Sequence, residues 1–232
     1  MSAARHLVRE LAWEHLDRIS PKEQVVTGDS ADDEAPSALP TATSDRRHHP
    51  LLGKPLAVLV HTDPETCDGS CRGACGRYID LQEQAFSKEK VLLALRAFRR
   101  IRMSPEDAAA EPLLEGHGDA VPRLVLIDVA RDDVVVLSGS GVSSSRVYKQ
   151  LKVVAGGFYK ERLDGIVKKH TKKLDAHDKL AIEEQRLTEQ LSRATNDRKA
   201  RKLEVERDHI KDAQEDLDRE IEALWRLTLR EL

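Results

Sequence analysis

Leu56-Ala-Val-Leu-Val60 is an unbroken apolar run of strand length, and a strand apolar on both sides is one covered on both sides. It is predicted to lie at the centre of a sheet. From Tyr78 to Arg100 the apolar residues fall at helical intervals instead, at Leu81, Ala85, Val91, Leu92, Leu95 and Phe98, with a break near Phe86-Ser87. Phe98 to Met103 reads as a second strand, Ala108 to Leu114 as a short helix, and Arg123 to Asp128 as a third strand. Asp132-Asp133 turns the chain into Val134 to Leu137, so the last two strands form a hairpin, and Ser143 to Tyr159 follows as a helix. The order strand, helix, strand, helix, strand, strand, helix predicts an α/β domain with a mixed central sheet over residues 53–159.

The flanks follow other periods. Leu7, Val8, Leu11, Trp13, Leu16 and Ile19 recur at near-helical spacing and Pro21 stops them, which predicts a short amphipathic helix over residues 1–19. Residues 20–52 hold Pro21, Pro36, Pro40 and Pro50, many small polar residues and no aromatic, the composition of a disordered linker. Within it Arg46, Arg47, His48 and His49 make a small basic cluster, read as solvated. After Gly165 neither glycine nor proline occurs in the remaining 67 residues, so residues 160–232 are predicted to be a nearly all-helical, charged tail. Leu180, Leu187 and Ala194 repeat every seven residues, as do Leu203, Ile210, Leu217 and Leu224, but the two registers do not match. Between them Ala194-Thr-Asn-Asp197 is either a turn folding the tail into an antiparallel helical hairpin or a discontinuity in one rod of ~100 Å. Acidic and basic residues balance along the tail, which suits helix pairing. A coiled coil making the chain a homo-oligomer is expected, in preference to a nucleic-acid arm or a membrane-lying helix.

Charged residues make up 34% of the chain and aromatics 3%, too little bulky apolar material for one compact globule of 232 residues, so part of the chain is expected to be extended. A net charge of −3 gives no global basic field, and nucleic acid is not expected as a partner. No apolar run nears the ~20 residues of a membrane span, and charges interrupt the first ten residues before any secretory core forms. A cytoplasmic chain without membrane contact is expected, in which three cysteines point to reduced thiols, metal ligands or redox chemistry.

Those cysteines are Cys67, Cys71 and Cys75, spaced by four and interleaved with Gly69, Gly73 and Gly76. They occupy a loop between the strand ending near His61 and the next helix, where an open α/β sheet presents its functional edge. Cys75 lies nearest the helix start, where unpaired N–H groups and the positive end of the helix dipole stabilise a thiolate. Redox use of these thiols competes with a zinc-type set of three thiolates and His61, although three-residue gaps depart from the commoner two-residue knuckles. No metal and no other cofactor is assigned. The glycines and hydroxyls of Ser138 to Ser145 read as a helix cap, because a phosphate-binding loop would need a lysine there.

Leu56 to Val60 followed by Ala74-Cys75-Gly-Arg-Tyr78 resembles the strand and the Trp-Cys-x-x-Cys motif that open the thioredoxin active site. Gln84-Ala-Phe-Ser-Lys-Glu-Lys-Val91 with Phe98 to Arg102 resembles the stretch after that motif in bacterial thioredoxin-like proteins. Val121-Pro122 with Arg123 to Asp128 is similar to the family's cis-proline and the strand it leads. The resemblance covers residues 53–159 and implies a thioredoxin-like fold, behind which the long C-terminal helical extension is an addition. It implies a protein disulfide as substrate, Cys75 as nucleophile, Cys71 or Cys67 as resolving thiol, and Val121 and Pro122 as the edge that binds an extended substrate. The sequence also departs from the family, since Tyr78 stands where the second cysteine would fall and Ala74 replaces the tryptophan. Two functions follow. One is a thiol–disulfide oxidoreductase. The alternative is a noncatalytic interaction or scaffold protein, whose degenerate thioredoxin-like domain binds a partner protein while the tail oligomerises.

Overall fold

The computed structural model describes residues 12–17, 19, 53–62, 73–128, 131, 133–139 and 142–230. The expected linker over 20–52, with its basic cluster, lies outside them. Strands β1 (Glu14–His15), β2 (Leu56–Val60), β3 (Arg99–Met103), β4 (Arg123–Asp128) and β5 (Asp133–Ser138) form one sheet in the order β1-β3-β2-β4-β5. The first three run parallel, β4 is antiparallel to β2, and β5 is antiparallel to β4. All five residues of β2 are buried in the middle of this sheet, as its unbroken apolar run requires. Ala57 and Leu59 join Leu124 and Leu126 on one face, while Val58 and Val60 join Val125 and Ile127 on the other.

Helices cover both faces. On the first, α1 (Ala74–Leu81) runs on through a π-helical turn at Gln82–Phe86, and α2 (Glu89–Leu95) follows after a break at Ser87-Lys88. With α4 (Ser144–Phe158) they bring Leu81, Phe86, Leu92, Leu151 and Phe158 into the core. The second face is covered through Ala108 of α3 (Pro105–Ala109), Leu114 of a 3-10 turn at Pro112–Leu114, and Ile19. The helix expected over Ala108 to Leu114 therefore starts earlier and ends at Ala109, and Pro112–Leu114 is a separate 3-10 turn. Ser104 sets the start, since its Oγ accepts from the Asp107 N–H at 3.0 Å and Pro105 occupies the first helical position. Ser104→Ala is expected to cost about 1 kcal/mol, read as a lower urea midpoint. An unchanged midpoint would assign the helix start to Pro105 alone.

Glu14–His15 is a strand and not part of the helix expected over 1–19. The part of that helix before residue 12 lies outside the described residues. The free edge of β3 supplies backbone partners that override helical spacing. Glu14 pairs with Ile101 and His15 with Arg102, and the Leu16 N–H donates to the Arg102 carbonyl at 3.3 Å. Arg99 donates to the Glu14 carboxylate at 2.8 and 3.1 Å, and the Ile19 N–H donates to the buried Glu111 carboxylate at 2.7 Å. Trp13 thereby reaches one face of the sheet, and Leu16 and Ile19 the other.

The tail is a hairpin. Helices α5 (Leu163–Ser192) and α6 (Asp197–Leu224) turn at residues 193–196, where the Asn196 side chain caps α6 by accepting from the Arg198 N–H at 2.9 Å. Its antiparallel rungs are the Lys173–Glu220 ion pair, His177 beside Asp218 at 3.8 Å, and Gln214 donating to Glu184 at 3.3 Å. Of the two forms open to the sequence, the rod is excluded. The base of the hairpin is woven into the domain: Leu163, Val167, Leu174 and Ile221 join the core of the first face. The Lys160 N–H donates to the Thr228 carbonyl and the Arg230 N–H to the Phe158 carbonyl, each at 2.9 Å. No helix among the described residues is long and apolar enough to cross a membrane.

Candidate functional site

The central strand leads directly to the site. Beyond Val60 the His61 N–H donates to the Met103 carbonyl at 3.2 Å, and the imidazole Nδ1 lies 2.7 Å from the Thr62 carbonyl. The His61 ring stacks on Tyr78 with centroids 4.4 Å apart and planes 17° from parallel. Cys67 and Cys71 lie outside the described residues. Cys75 is the second residue of α1, half-buried and held in a disulfide whose partner lies outside the described residues. Gly73 precedes the helix without a side-chain cap, and the first turn carries no acidic residue. The first turn of α1 thus places the Cys75 sulfur near the positive end of the helix.

The other half of the site is the approach to β4. The Val121–Pro122 peptide is cis, Pro122 is buried, and Arg123 opens the strand. Arg77, two residues beyond Cys75, donates from Nε at 3.2 Å and from Nη2 at 3.1 Å to the Val121 carbonyl. This fork ties the head of α1 to the Val121–Pro122 loop. A shallow groove of about 30 Å³ runs beside it, lined by Arg77, Asp80, Leu81, Pro122, Leu137 and Val142. Arg123 is buried under the loop and donates from Nη1 to the Ala120 carbonyl at 3.3 Å; burial lowers its pKa, with Asp119 opposing. The guanidinium groups of Arg77 and Arg123 flank this corner, with the carboxylates of Asp80 and Asp119 beside them.

Among the sequence-derived candidates the structure brings Cys75, Val121 and Pro122 to one end of the sheet. Tyr78 is a packing residue: it is buried against His61, and its hydroxyl accepts from Gln82 Nε2 at 2.9 Å. The helix itself offers no second thiol. Arg77 was not legible as part of the site, because its acceptor is a backbone carbonyl 44 residues away and a carbonyl leaves no mark on sequence. Among the described residues no three His, Cys, Asp or Glu side chains converge as a metal set. Comparison with family models, with curated proteins and with solved structures finds no match to this chain.

Proposed function

We propose that this chain is a thioredoxin-like thiol–disulfide oxidoreductase of the cytoplasm, acting on protein disulfides through Cys75 with Cys71 or Cys67 as resolving thiol. The observation that carries the reading is Cys75 in the first turn of the helix that follows the central strand. The sheet order β1-β3-β2-β4-β5, with three parallel strands and a reversed hairpin, supports the fold that the motifs resemble. The Cys75 thiolate attacks one sulfur of the substrate disulfide, the substrate S–S bond breaks, and one substrate thiolate leaves. The resolving thiolate then attacks the Cys75 sulfur and releases the second substrate thiolate. The substrate gains two electrons and two protons, the enzyme is left with its own disulfide, and an external dithiol restores it.

The test supplies the reduced full chain with a protein disulfide and a dithiol and follows thiol release. Cys75→Ser is expected to lower turnover to the uncatalysed rate, and serine at the resolving position to accumulate a mixed disulfide through Cys75. In the reduced chain Cys75 is expected to alkylate below the pH of ~8.5 that suits an unperturbed thiol. Unchanged turnover in Cys75→Ser, with three thiols alkylating alike, sinks the redox reading. The noncatalytic alternative then stands, and one observation favours it: Arg77 already occupies the Val121 carbonyl that an extended substrate would use. On that reading the domain binds a partner protein and the hairpin carries homo-oligomerisation.

A further inference from the structure

We propose that a cavity between the β1–β3 edge and the first helix binds a small aromatic carboxylate, its carboxylate paired with Arg102 and its ring held among Trp13, Tyr78 and Phe86. The cavity measures about 210 Å³ and is walled by those three rings and Leu95, with Gln82 and Arg102 as its polar groups. A cavity of about 150 Å³ already accommodates benzene, so this one has room for a ring and an attached carboxylate. Trp13 and Phe86 stand at 56° with centroids 5.8 Å apart, an arrangement that presents one face and one edge to a third ring.

Arg102 is the group that asks for a ligand. On β3 it alternates with Ile101 and Met103, which point into the opposite core, so it faces the α1 side of the sheet. Its Nε is buried without a hydrogen-bond partner, and no carboxylate among the described residues makes an ion pair with it. Arg99, on the other face of the same strand, does have one in Glu14. A half-buried guanidinium lacking an anion is costly, and a planar carboxylate satisfies it through two parallel N–H···O bonds. Tyr78 adds a second donor, because its hydroxyl accepts from Gln82 and keeps its own hydrogen to give. The π-helical turn at Gln82–Phe86 widens the helix at the cavity wall, a deviation frequent at functional sites. Arg102 selects against a neutral ring, and contact with the Trp13 and Phe86 rings is what an inorganic anion forgoes. This site does not depend on Cys75, although Tyr78 is common to its wall and to the His61 stack.

The test titrates the full chain with benzoate, benzyl alcohol and sulfate while the two tryptophan indole N–H resonances are followed by NMR. Benzoate is expected to move the Trp13 resonance and leave that of Trp225, which is bonded to His170, in place. Benzyl alcohol and sulfate should bind about tenfold more weakly or worse, and Arg102→Gln should weaken benzoate by about the same factor. Benzoate binding unchanged in Arg102→Gln, or benzyl alcohol equal to benzoate, or a Trp13 resonance indifferent to saturating benzoate, overturns the proposal. Should the variant not fold, the comparison of the three probes on the wild-type chain decides alone.

Discussion

Between pH 6.5 and about 4 the chain is expected to lose about 3 kcal/mol of stability at the base of the hairpin, because His170 is held neutral there. His170 lies on α5 with 1% of its surface exposed, and its Nδ1 accepts from the Trp225 indole N–H at 2.9 Å. The two rings meet edge to face at 5.7 Å, and the Arg96 guanidinium sits 5.5 Å over Trp225 from the domain side. Burial first, and the Arg96 charge second, push the His170 pKa down from 6.5 to about 4. Above pH 6.5 the imidazole is neutral whether the chain is folded or not, and its contribution does not change. Below that the unfolded chain takes up a proton that the folded chain refuses, so stability falls until the folded imidazole also titrates near pH 4. Protonation at Nδ1 also removes the acceptor that Trp225 uses. His170→Gln keeps an acceptor for the indole and cannot titrate in this range, so the difference between variant and wild type isolates the histidine from carboxylates that also titrate near pH 4. Urea midpoints followed by tryptophan fluorescence across the window are expected to slope less in the variant. Equal slopes would place the pH dependence elsewhere.

The legible part of this fold is what local pattern dictates. β2, β4 and the helix capped by Ser143 were readable because an unbroken apolar run, or a hydroxyl before a helical period, has one favourable use. β1 was not, because two residues at a sheet edge carry no period of their own and owe their conformation to backbone groups of β3 that lie 85 or more residues on. The same holds for Arg102, whose position in the run Arg99-Arg-Ile-Arg102 reads as ordinary surface charge until alternation along β3 turns it toward the rings. Cys75 was legible as the head of a helix from its glycines and the apolar period after it. Arg77 and the His61–Tyr78 stack needed the sheet in place before they could meet.

Leu187→Asp is expected to cost about 3–5 kcal/mol and to unravel the outer half of the hairpin, whereas Ile182→Asp leaves both helices intact. Heptad spacing put Leu187 on a seam between chains, but the structure covers it within one chain, leaving 3% of its surface exposed. Toward the turn the buried apolar residues are Leu187 and Leu203, with Leu180, Leu191, Ile210 and Leu217 half-buried and polar groups interspersed among them. Gln214 bonds Glu184, and Arg207 Nε and His177 Nδ1 are buried without hydrogen-bond partners. Helices of 30 and 28 residues gain most of their stability from such packing, so one buried carboxylate among few apolar contacts acts on the whole outer half. Ile182 and Val205 are the large apolar side chains the hairpin leaves outside, 68% and 56% exposed. Far-UV circular dichroism with light scattering on the full chain separates the two roles. Leu187→Asp should lower helix content whatever the mass, and Ile182→Asp should lower the mass, if the chain self-associates through this face, at unchanged helix content. Helix content equally preserved in both variants would show that Leu187 does not hold the pair together, and would return it to the interchain seam its heptad suggests.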